Sequence, residues 1–126
     1  MDIVEAVTRL AKVTTIKKID NKQYEIITGA KINDKTPISF FLVADETGVK
    51  FADGKTTLKY MSQVYELKSA DVKNCIASVV KIYGFNIVSG ELVANIKQNQ
   101  NIVETFYSYI ICIGQLANMY AFFDQP

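Results

Sequence analysis

Asp45, Asp53 and Lys55, with Glu46 beside the first, are the residues of this chain whose types fit metal-assisted phosphodiester chemistry. Metal-dependent nucleases hold Mg²⁺ with a carboxylate pair and keep a lysine beside it on a strand. Asp53-Gly54-Lys55 has the acidic-x-Lys form of that element. The same residues also fit a plainer reading. An Asp-Gly pair makes turns, because the carboxylate bonds its own backbone and glycine accepts a positive φ. The carboxylates therefore read first as turn and cap residues in solvent, with Asp53 structural, and the nuclease built on Asp45, Asp53 and Lys55 is the alternative.

Other chemistry is thinner. Histidine is absent, which removes the commonest general base and the commonest metal ligand. Cys75 and Cys112 match no Cys-x-x-Cys spacing and stand in apolar helical contexts, so they read as core thiols rather than a disulfide or redox pair. The six glycines are scattered singly, leaving no Walker loop, dinucleotide-binding pattern or nucleophile elbow. No catalytic residue, metal or cofactor is expected on the leading reading. Lys12, Lys17, Lys18 and Lys22 form the densest basic cluster, but Asp20 interrupts it, Arg9 is the only arginine and no aromatic residues interleave for base stacking. A solvated face is the expectation, with a weak DNA binder as its alternative. Tyr60, Tyr65 and Tyr83 read as core residues with solvated hydroxyls, or as hydrogen-bonding groups at a partner surface.

The elements that must position these residues follow from periodicity. Asp2 to Ala11 carries Ile3, Val4, Ala6, Val7, Leu10 and Ala11 on one helical face. Tyr24–Thr28, Ile38–Val43 and Val49–Phe51 are β-prone runs separated by turn residues, and predict a three-stranded antiparallel meander. Thr56 or Thr57 can cap a short helix through about Val64. Ser69, with Asp71 in the first turn and Gly84 as the stop, frames a helix through Tyr83. Ser89-Gly90 joins Phe85–Val88 to Glu91–Ile96 in a hairpin. Asn101 to Phe123 completes the order as a long apolar carboxy-terminal helix. The fold class is α+β, read as a single compact domain over residues 1–126.

That last helix carries the strongest pattern. Ile102, Phe106, Tyr109, Ile113, Leu116, Tyr120 and Phe123 alternate steps of four and three, the spacing of a packing seam. Ile110, Gly114, Ala117 and Ala121 make a second, narrow line, and Glu104, Ser108, Gln115 and Asn118 form a polar strip. One small sheet hardly covers all of this, so Ile110, Gly114, Ala117, Ala121 and Phe122 are the expected homodimer interface. Thr105 to Phe123 has no charged residue, but the polar strip, the acidic ends and the lack of Lys or Arg after Lys97 speak against a membrane span.

Composition bounds the rest. In 126 residues, 49% hydrophobic and 21% charged, a disordered chain is excluded. A net charge of +1 draws the chain towards neither nucleic acid nor anionic lipid. Acidic Asp2 and Glu5 stand where a secretory signal carries positive charge, so the cytoplasm is expected.

Val49-Lys50-Phe51-Ala52-Asp53-Gly54, Thr57-Leu58-Lys59-Tyr60-Met61, Leu67-Lys68-Ser69-Ala70-Asp71-Val72, Tyr83-Gly84 and Gly90-Glu91-Leu92 together form a series of short motifs over roughly the last two-thirds of the chain. The series resembles the bacterial and prophage-borne domain of unknown function family 1828, with Ala52 where the family pattern has threonine. The resemblance implies a bacterial, often mobile-element, context and no assigned activity. The function expected from all of this is a non-enzymatic interaction protein that dimerises and binds a host protein, as an accessory or anti-defence factor of a phage or prophage.

Overall fold

The computed structural model of the chain describes residues 1–32, 35–63, 69–98 and 100–119. Its elements, in chain order, are α1 (Ile3–Leu10), β1 (Thr15–Asp20), β2 (Gln23–Lys31), β3 (Pro37–Asp45), β4 (Gly48–Ala52), α2 (Thr56–Met61), α3 (Ala70–Ile82), β5 (Asn86–Val88), β6 (Glu91–Ile96) and α4 (Ile102–Ala117). The fold is α+β. The expected meander, extended by β1, and the expected hairpin join in one six-stranded sheet of order β1-β2-β3-β4-β6-β5, antiparallel throughout.

Register sorts the strand residues onto two faces. Ile16, Ile26 and Phe40 stand opposite one another across β1, β2 and β3, as do Leu42, Phe51 and Ala94 across β3, β4 and β6. These positions point inward and join one core with Ala6 and Leu10 of α1, Met61 of α2, Val72, Ile76 and Val80 of α3, and the α4 seam. Alternation then places Lys17, Glu25, Phe41, Ala52, Val93 and Asn86 in one row on the opposite face. At the centre of the core Phe40 meets Phe51 and Tyr109 with ring centroids 5.4 and 4.7 Å apart, both edge-on, the geometry the ring quadrupoles favour.

Local chemistry accounts for the element ends. The Asp2 carboxylate caps α1 by accepting from the Glu5 N–H at 2.8 Å, and Glu5 pairs with Arg9 one turn on. The Asn101 side chain accepts from the Val103 and Glu104 N–H groups at the start of α4. Gly84 ends α3 at φ 75°, and Ser89 and Gly90, both at positive φ, close the β5–β6 hairpin. Two expected caps are not made. Ser69 holds the N-cap position of α3 without a side-chain bond, and α2 begins behind Lys55, itself left-handed at φ 69°. α2 closes at Met61; the expected extension to Val64 lies outside the described residues.

α4 also differs from its expectation. It runs for 16 residues to Ala117, shorter than Asn101 to Phe123, and Tyr120 to Phe123 lie outside the described residues. Its seam is as read: Ile102, Phe106, Tyr109, Ile113 and Leu116 are all buried. Among the described residues no helix is long and apolar enough to cross a membrane.

Candidate functional site

The chain turns from β4 into α2 through Asp53, Gly54 and Lys55, with the latter two both left-handed. Asp53 is 1% exposed, so its carboxylate is not a solvated turn group as the sequence implied. It is an internal acceptor. One oxygen, Oδ1, accepts from the Lys55 N–H at 2.9 Å and from the Leu92 N–H at 3.1 Å, and Oδ2 accepts from the Thr57 N–H at 3.2 Å. The cap that Thr56 and Thr57 were expected to give thus comes from a residue upstream of both. Thr56 instead donates its hydroxyl to the Asp53 carbonyl at 2.8 Å.

The Leu92 bond explains why a carboxylate stands there. The β4–β6 ladder pairs Ala52 with Val93 and goes no further. One residue on, β4 has left the sheet, and the Asp53 side chain meets the buried Leu92 N–H that a continuing strand would have faced. Two further groups fasten the junction. Glu91 Oε2 accepts from the Gly54 N–H at 2.9 Å, and the Tyr109 hydroxyl donates to the Leu92 carbonyl at 2.5 Å. The Leu92 backbone is therefore held at its N–H by β4's exit and at its carbonyl by α4. Burial pushes the Tyr109 phenol far above its usual range, with the charges of Asp53 and Glu91 adding to the effect. Burial likewise pushes the Cys112 thiol up to about 12, with Asp53 contributing.

The structure does not bring the alternative nuclease residues together. Asp45 precedes β4 and Asp53 follows it, so a five-residue strand, roughly 13 Å long at about 3.3 Å per residue, lies between them. Asp45 is occupied locally: it accepts from the Thr47 hydroxyl and N–H, and pairs with Lys50 at 3.3 Å. The Thr47 hydroxyl, then the Thr47 N–H and Lys50, hold its carboxyl down at about 2. Lys55 is exposed. Among the described residues no group of three or more His, Cys, Asp or Glu side chains is placed to hold a metal ion. The amino-terminal lysines are also divided: Lys17 and Lys18 alternate between the faces of edge strand β1, and Lys17 stands opposite Glu25.

On α4 the small-residue line turns partly inward. Ala117 is 2% exposed, covered by its own chain, and Ile110 and Gly114 are half-buried; Ala121 and Phe122 lie outside the described residues. The large side chains left in solvent are Tyr107 and Ile111, 49% and 57% exposed. They lie one turn apart, between half-buried Val103, Ile110 and Gly114 and the polar strip of Glu104, Gln115 and Asn118. Of the tyrosines singled out by sequence, Tyr83 donates its hydroxyl to Gln115 at 2.8 Å, tying α3 to α4, and Tyr60 is half-buried; Tyr65 lies outside the described residues. Sequence reasoning missed the hydrogen bonds of Glu91 and Tyr109 and the exposure of the Tyr107/Ile111 pair. A tyrosine inside an apolar seam is a usable signal for the Tyr109 bond, since its hydroxyl must find a partner when buried. Comparison with protein-family models, with curated proteins and with solved structures gives no significant match to the chain.

Proposed function

We propose that this chain is a non-enzymatic protein-interaction module that self-associates through α4 and binds a host protein, as an accessory or anti-defence factor in the cytoplasm of a bacterium carrying a phage or prophage. One observation carries the reading: Tyr107 and Ile111 stand in solvent, one turn apart, on the helix whose other side completes the core. Tyrosine and a large aliphatic residue on a rigid helix are the kind of anchors that dominate interface energetics. The half-buried Gly114 beside them lets a second backbone come close. Burial of such a strip recovers about 25 cal/mol per Å² of apolar area before the cost of association. The bacterial and prophage context rests on the resemblance of the short motifs to the family named above.

Light scattering on the full chain at tens of micromolar tests the self-association. A dimer mass for the wild type, shifting to monomer in Ile111→Glu with an unchanged circular dichroism spectrum, is the expected outcome. Ala117→Glu is uninformative here, because a charge at a position buried in its own chain unfolds it. A folded, soluble wild-type monomer overturns the dimer. Affinity capture from a bacterial lysate, with Ile111→Glu as control, reads the second half: a protein retained equally by both baits shows that α4 is not the binding face. A gel shift that weakens steeply with salt would transfer the function to nucleic acid.

A further inference from the structure

Beside α2 a cavity of about 330 Å³ opens between the start of β3 and α4. Ile32, Pro37, Ile38 and Ile113 make its apolar part, and five hydroxyl-bearing residues, Thr57 and Tyr60 of α2 among them, make the rest. Ile38, Ile113 and Thr57 are 4, 3 and 2% exposed, so the cavity reaches the main core. No charged residue is among the described residues lining it.

Thr57 is the feature that sets this cavity apart. Its N–H is committed to Asp53 Oδ2, but its buried hydroxyl makes no hydrogen bond to a described residue. The usual escape for a helical threonine, donation to the carbonyl four residues back, is already occupied: the Asp53 carbonyl accepts the Thr56 hydroxyl and N–H. A buried hydroxyl without a partner costs stability, and here it borders an apolar space large enough for a molecule. A cavity of ~150 Å³ already holds benzene, so this one holds a single ring with a short substituent, at the lower end of ligand-pocket volumes.

We infer that this cavity is a binding site for a small, uncharged, mostly apolar molecule bearing one hydroxyl or carbonyl group, which hydrogen-bonds to the Thr57 hydroxyl while its ring or chain packs on Ile38 and Ile113. A charged ligand is disfavoured, since nothing described in the wall compensates the loss of its hydration. The site is independent of the exposed strip on α4.

The test uses the full chain and a matched pair of probes, benzyl alcohol and toluene, which differ by the group Thr57 would recognise. Amide shifts in ¹⁵N–¹H spectra should move saturably at Ile38, Thr57, Tyr60 and Ile113, with benzyl alcohol binding several-fold more tightly. Thr57→Val keeps the N–H that caps α2 and should bind the two probes equally; Thr57→Ser should keep the preference. Absence of saturable shifts in the wild type, equal binding of the two probes by the wild type, or an alcohol preference that survives in Thr57→Val would each overturn the inference. The wild-type comparison stands even if a variant fails to fold.

Discussion

Removing the Asp53 side chain should cost a large part of the stability of this fold. Its carboxylate accepts three backbone N–H groups. Two of these, from Lys55 and Thr57, begin α2, and loss of a side-chain cap costs about 0.5–2 kcal/mol. The third comes from Leu92, 0% exposed, and a buried donor left without an acceptor costs about 1–3 kcal/mol. Asp53→Ala should therefore lose roughly 2–5 kcal/mol, against a typical total of about 5–15 kcal/mol. Asp53→Asn keeps one oxygen, which can serve Lys55 and Leu92, but turns an NH₂ group towards the Thr57 N–H; it should lose about 1–2 kcal/mol, the worth of the cap alone. Urea unfolding followed by circular dichroism measures both, provided the m-value is unchanged. Tyr109→Phe frees the carbonyl of the same residue, Leu92, so it should couple to Asp53→Asn by at least about 0.5 kcal/mol in a double-mutant cycle. An Asp53→Ala midpoint within about 1 kcal/mol of wild type would refute the claim that the carboxylate completes the sheet.

Gly54→Ala should destabilise by roughly 1–3 kcal/mol in the same assay: φ is +66° and an added Cβ would lie 3.1 Å from the Phe41 ring, so left-handed strain and a contact act together. The neutral Cys112 thiol, with its pKa raised to about 12, contributes stability that is complete below the ordinary thiol range and is lost as pH climbs from about 8.5 towards 12; Cys112→Ala should flatten the alkaline limb of a pH–stability curve. In the native state at neutral pH, half-buried Cys75 should alkylate well before buried Cys112, as mass spectrometry of the labelled peptides would show. Asp45, held down at about 2, contributes stability present above about pH 4 and lost as pH falls towards 2; Thr47→Val should raise its pKa in an NMR titration.

Much of this architecture can be read from local pattern. The α3 stop at Gly84 and the Ser89-Gly90 hairpin are visible because positive φ has a residue signature, and the α4 seam because its period survives into the core. β1 was not visible. As an edge strand it buries no side chain fully, and its lysines and aspartate, which guard an edge against pairing with other chains, read as a basic cluster instead. The α2 cap is illegible for a different reason: Asp-Gly reads as a turn, but Glu91 lies 37 residues beyond Gly54 and Leu92 39 beyond Asp53, and they reach this turn only because β6 inserts beside β4. Strand order of that kind leaves no trace in periodicity. On α4, spacing defines faces without saying which one the domain covers, so it points the buried Ala117 outward and does not single out the exposed Ile111.

α4 touches α1, α2, α3 and β6, yet it follows all of them in the chain. During synthesis, which proceeds amino terminus first at about 5–20 residues per second, the 21 residues from Ile96 to Ala117 take roughly one to four seconds to add. Over that interval Phe40 and Phe51 lack the Phe106 and Tyr109 rings that pack on them. The Leu92 carbonyl lacks its Tyr109 donor. A nascent chain of this protein therefore passes through a state with its apolar sheet only partly covered, in which ribosome-associated chaperones would find their substrate and neighbouring chains on a polysome would find each other.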